Sequence, residues 1–127
     1  MSKATLPWPP KELSPNARKD RRQISGIRSN YRIACRALAK AGLGSFSHLK
    51  CAHLRITFHP PDAQKRDLDN MLASIKSGLD GVSDAIGVDD GAWGLTILKG
   101  DPVRPSGAVV VEVVSTREQL PLRGIVT

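Results

Sequence analysis

Residues 49–60, LKCAHLRITFHP, decide the fold. Cys51, His53, Arg55 and Thr57 alternate there with Ala52, Leu54, Ile56 and Phe58. In a β-strand successive side chains point to opposite faces, so the second set predicts the buried face of a strand. Pro60-Pro61 ends it, because proline has no N–H to give a sheet. Past the prolines the period changes. Leu68, Met71, Leu72, Ile75, Leu79 and Val82 recur at helical spacing and predict an amphipathic helix beginning near Asp67.

Working outward, a second helical period runs from about Arg21 to Ala41 through Ile24, Ile27, Tyr31, Ala34, Cys35 and Leu38. Before it, ATLPW reads as a short strand stopped by Pro9-Pro10, with a polar loop to residue 20. After the second helix, Gly87 leads into Asp89-Asp90 and two strands, AWGLTILK and GAVVVEVVS, then a loose C-terminal tail. The order β-α-β-α-β-β predicts an α+β fold: a two-layer domain with a small mixed sheet covered by helices. At 127 residues the chain is expected to form one domain over 1–127, its core within about 4–115.

Composition narrows the function classes. No apolar run approaches a membrane span, and MSKATLPWPP lacks a signal-peptide core, so a cytoplasmic protein without a membrane partner is expected. Cys35 and Cys51 form no C-x-x-C, and His48, His53 and His59 stand at no zinc-ligand spacing with them. Walker loops and nucleophile elbows are missing too, so no small-molecule cofactor is implied. Five aromatic residues argue against a single-strand binder built on stacking.

Charge is unevenly spread. Residues 11–40 hold nine bases (Lys11, Arg18, Lys19, Arg21, Arg22, Arg28, Arg32, Arg36, Lys40) against Glu12 and Asp20, an excess equal to the net +7 of the whole chain. On the first helix Arg28, Arg32, Arg36 and Lys40 fall on the arc beside the apolar one, and only Asp20 is near in sequence to offset them. A solvated basic face is the ordinary reading of such a stripe. Its clustering points instead to a nucleic-acid backbone, with Lys65 as a further contact. Between Asp62 and Asp90 the sign reverses, with seven Asp against Lys65, Arg66 and Lys76. A basic arm beside an acidic centre suits an enzyme that holds a phosphate backbone and cuts it with a cation.

KRDLDN, residues 65–70, carries the first of these acids. Inside one helix Asp67 and Asp69 would point about 200° apart. With Asp67 extended at the N-cap, the two project to one side and Leu68 turns into the core. Capping alone accounts for Asp67, but not for Asp89 and Asp90 beyond the same helix. Four converging carboxylates would repel unless a cation neutralised them, and all-oxygen ligands suit Mg²⁺ or Mn²⁺.

At these residues the chain resembles the RusA family of Holliday-junction resolvases. L-P-W-P-P, a basic helix, a strand, then P-D-x(3)-R-D-L-D-N, a helix and an Asp-Asp pair match from about Leu6 to Ser115. The resemblance implies a homodimeric, Mg²⁺-dependent endonuclease that nicks branched double-stranded DNA symmetrically. It implies that Asp67, Asp69 and Asp90 are the essential metal-binding acids, with Asp89 adjacent and Arg66 the arginine before them. Where the family carries a lysine four residues after the second acid, this chain has Ala73. Counted along one straight helix, Lys76 one turn further faces the same side as Asp69 and leans back toward it, so it stands either as the replacement or as a solvated surface lysine. Two alternatives stand beside this reading: a non-catalytic, structure-specific DNA-binding protein, and a Mg²⁺-dependent phosphohydrolase of small substrates.

Overall fold

The structure, a computed structural model, describes residues 2–17, 20–49 and 51–115. Arg18, Lys19 and the expected C-terminal tail lie outside the described residues, as does the side chain of Arg21.

Among the described residues, four strands and three α-helices follow in the order β1 (Ser2–Pro7), α1 (Arg21–Gly42), β2 (Ala52–His59), α2 (Leu68–Ser74), α3 (Lys76–Ile86), β3 (Trp93–Lys99) and β4 (Ala108–Ser115). Single 3-10 turns form at Lys11–Leu13 and Asp90–Ala92. The sheet order is β1-β4-β2-β3. β4 pairs antiparallel with β1 and with β2, whereas β2 and β3 are parallel. The parallel pair follows from its connection: α2 and α3 supply the long crossover that parallel neighbours need. The expected α+β domain with a mixed sheet and a helical layer is the observed one.

β2 alternates as its sequence requires, with Ala52, Leu54, Ile56 and Phe58 fully buried. Across the sheet Leu6, Val109 and Phe58 stand in one row, and Ala4, Val111 and Ile56 in the next. Burying each large side chain of this kind contributes roughly 1.5–3 kcal/mol. Tyr31, Cys35 and Ala39 of α1 and Met71, Ile75, Leu79, Val82 and Ile86 of α2 and α3 close over these rows to complete one core.

Two helical expectations need correction. On α1 the buried stripe is narrower than the apolar arc: Tyr31, Cys35, Ala39 and then Leu43, four residues apart, are buried, but Leu38 is 42% exposed and Ala34 is exposed. The reason is α3, which lies close against α1 along that one line. A Cβ built on Gly78 would come within 2.6 Å of the Tyr31 ring, and one on Gly81 would run into the Arg32 carbonyl oxygen. The second correction concerns the helix after Asp67, which is not continuous. Ile75 (φ −90°, ψ 0°) breaks it into α2 and α3, so angles counted along one straight helix do not carry from Asp69 to Lys76.

Burial also shifts two titrating groups away from use. The Tyr31 hydroxyl donates to the Pro7 carbonyl oxygen at 2.6 Å, and its pKa is raised chiefly by burial. Burial likewise pushes the Cys35 thiol up to about 11. That thiol is a packing group, as expected; Cys51 is only partly buried.

Candidate functional site

Asp67 sits where sequence reasoning puts it, in extended conformation (φ −87°, ψ 138°) just before α2. Its side chain makes no capping hydrogen bond, so helix capping does not account for it. Asp69 occupies the first turn of α2, where a carboxylate complements the helix dipole, and accepts from the Asn70 N–H at 3.0 Å. Leu68 does not turn into the core; it is 40% exposed, because Met71 and Ile75 supply the buried face instead.

Asp89 and Asp90 have separate jobs. Gly87, in the left-handed region (φ 78°), ends α3, and the Val88 carbonyl is pinned by the Ser83 hydroxyl and the Trp93 ring N–H, each at 3.0 Å. Asp89 then caps the short 3-10 turn by accepting from the Gly91 N–H at 3.0 Å. Asp90 is the one that projects back to α3. Its Oδ2 accepts from Lys76 Nζ at 3.0 Å, while Asp80 Oδ1 accepts from the same ammonium at 2.7 Å. These two bonds, that to Asp80 first, raise the Lys76 pKa. Lys76 therefore does reach a site acid, although the acid is Asp90 and not Asp69.

In this arrangement the four carboxylates are not gathered. Among the described residues no three His, Cys, Asp or Glu side chains stand together as ligands for one ion. In kind the donors suit Mg²⁺ or Mn²⁺, being hard oxygens, and Asp67 has no capping role to give up. In position, the cation at Asp90 is the Lys76 ammonium. Arg66 is likewise occupied: it donates to Asp62 at 2.6 Å, which lowers the Asp62 pKa, and stacks over the Trp8 ring at 5.7 Å.

Beside Asp67 opens a cleft of about 600 Å³ between the Trp8–Lys11 segment and α2, with Lys11, Lys65 and Arg66 in its lining. A smaller groove of about 340 Å³ brings Arg28 of α1 together with Ala73, Lys76 and Asp80. The basic stripe thus ends next to the acidic site. Arg22, Arg28, Arg32, Arg36 and Lys40 are all exposed. One of them is answered by a partner that sequence proximity hides: Arg32 donates to Asp84 of α3 at 2.8 and 2.9 Å, which lowers the Asp84 pKa. Asp20 is spent capping α1 through the Arg22 N–H.

Asp80 and Trp8 escaped the sequence reading of the site. Asp80 was findable, since it stands four residues after Lys76 on a helix, the spacing of an ion pair. Trp8 was not, because nothing in the sequence places it against Arg66.

The fold and site define a small α+β domain with an acidic lip, held partly by its own lysine, beside a basic helix. No family model matches the chain. Over 123 residues it is 37% identical to an uncharacterized protein from Xylella fastidiosa (strain Temecula1 / ATCC 700964), an alignment covering 94% of this chain and 80% of that protein. The chain belongs to the family of that protein.

Proposed function

We propose that this protein is a Mg²⁺-dependent endonuclease of branched DNA, resolving four-way junctions as a homodimer in recombination and repair. The observation that carries the reading is the meeting of two surfaces: the exposed bases of α1 run down to Arg28, which shares a groove with Lys76 and Asp80 next to Asp90. A backbone gripped along α1 is thereby led to the acids. Asp67, Asp69 and Asp90, with Asp89 beside them, are not gathered in this arrangement and would hold Mg²⁺ or Mn²⁺ once drawn together, Asp90 exchanging the Lys76 ammonium for the ion; a bound ion would supply charge that activates water and stabilises the departing oxygen. Freed from Asp90, the Lys76 ammonium would meet the phosphate, and Arg66, fixed by Asp62, orders the approach to Asp67. A junction has two strands to cut and each domain one acid set, so a two-fold dimer matches two scissile phosphates.

Mg²⁺-dependent cleavage of a synthetic four-way junction, run beside linear duplex and a small phosphate ester, tests this directly. Paired nicks in the junction alone are expected. Binding without cutting would favour a non-catalytic binder, and ester hydrolysis a small-substrate enzyme. Sedimentation should give a dimer at micromolar concentration; a monomer with and without junction DNA would count against paired nicking.

Lys76→Ala should slow single-turnover cleavage by at least about tenfold, about 1.4 kcal/mol of transition-state stabilisation, with junction affinity little changed. Normal cutting would reduce Lys76 to a solvated surface pair. Neutralising Arg28 and Arg36 should flatten the slope of log K against log salt by about 0.9 for each phosphate no longer neutralised. Arg32→Gln should change it less, since Asp84 already answers that charge.

A further inference from the structure

The cleft beside Asp67 is walled in a way that backbone binding does not require. Trp8, Pro9, Pro10 and Met71 line it, Pro9 and Met71 being buried. A sugar-phosphate chain is polar and charged and gains little from such a wall; the face of a nucleobase gains from stacking. We propose that this cleft holds one unpaired nucleobase of the bound DNA strand, an inference that rests on the DNA-cutting reading for the strand's presence.

Three features fit a base. The first is a fixed platform. Phe58 meets Trp8 edge-on with centroids 6.1 Å apart, and Arg66, clamped by Asp62, lies over the Trp8 ring. Because the carboxylate of Asp62 already answers the guanidinium charge, Arg66 is better placed to stack than to neutralise phosphate. The second is a polar edge. Asn16 and Asn70 line the same cleft, and an amide offers both a donor and an acceptor, the pair needed to read a base edge. Ser74 has its hydroxyl committed to the Asn70 carbonyl, which steadies that turn of α2. The third is charge at the opening: Lys11 and Lys65 can meet the phosphates flanking an extruded base. The volume of about 600 Å³ lies in the range of small-ligand sites, roughly 300–1,000 Å³. Unpairing a base costs a few kcal/mol, least where pairing is already interrupted, as at a junction centre.

The test compares a six-nucleotide single strand with a strand of equal length and charge whose central nucleotides are abasic, bound in EDTA. The intact strand should bind at least about fivefold tighter. Trp8→Leu, which keeps apolar volume but removes the ring, should erase that preference and leave affinity for the abasic strand unchanged. Asn70→Ala provides a second route should Trp8→Leu fold poorly, and should weaken the preference severalfold. Equal binding of the two strands overturns the proposal, as does a preference that survives both substitutions. A protein that cuts junctions in Mg²⁺ without base preference keeps the endonuclease reading and loses this one; base preference without cutting does the reverse.

Discussion

Asp90→Asn should abolish junction cleavage, by at least about a thousandfold or about 4 kcal/mol, while junction binding in EDTA holds or tightens. Asp90 is the acid that the Asp89-capped turn presents to Lys76, and Asn keeps its size while removing the charge that would hold a cation. Its ion pair with Lys76 is solvent-exposed on both sides, so losing it should cost little stability. A fall in rate would then report chemistry and not unfolding. Asp69→Asn should behave alike, since an amide oxygen can still accept from the Asn70 N–H. Removing either carboxylate near a phosphate also relieves repulsion, which is the reason binding should not fall. Single-turnover rates in Mg²⁺ beside mobility shifts in EDTA measure both quantities. Wild-type cutting by either variant would remove that acid from the site.

Gly81→Val should be the most damaging single change to stability. The first atom of any side chain there runs into the Arg32 carbonyl oxygen and comes within 2.9 Å of the Arg36 amide nitrogen, both backbone atoms of α1 that cannot rotate away. α1 and α3 would have to separate, opening the line of Tyr31, Cys35 and Ala39 against Leu79 and Val82. Overpacking of this kind costs about 3 kcal/mol, and the helix propensity that valine gains over glycine offsets only a few tenths of one. For a domain of this size Tm should fall on the order of 10 °C. Thermal unfolding by circular dichroism checks it; a Tm within about two degrees of wild type would mean the helices approach less closely than described.

Chemistry and packing divide here along a line that runs through the whole molecule. Asp67, Asp69, Asp89 and Asp90 stood out as candidates from KRDLDN and the later Asp-Asp pair, with Asp90 preferred over Asp89 only through the family resemblance, and the extended backbone at Asp67 was deducible from the need to aim two acids one way. The choice between Asp89 and Asp90 had a local signal too weak to read: whether the first acid caps a 3-10 turn depends on how α3 ends at Gly87. The expected partner was Asp69; Lys76 reaches Asp90 instead, because the break at Ile75 redirects α3, a turn that the unbroken apolar period from Leu68 to Val82 conceals.

Local alternation and helical period, by themselves, determined the strands, the extent of α1, the buried face of β2 and the segregation of charge, because each depends on neighbours within a few residues. Pairings between distant segments were left to the tertiary structure. Asp84 reaches Arg32 across 52 positions, and α3 covers so narrow a strip of α1 that Leu38 stays exposed. Arg66 settles over Trp8 rather than standing free. The reason is steric. Two glycines let α3 approach α1 to backbone contact, and that approach, which no local pattern encodes, selects which charges meet and which remain open to a partner.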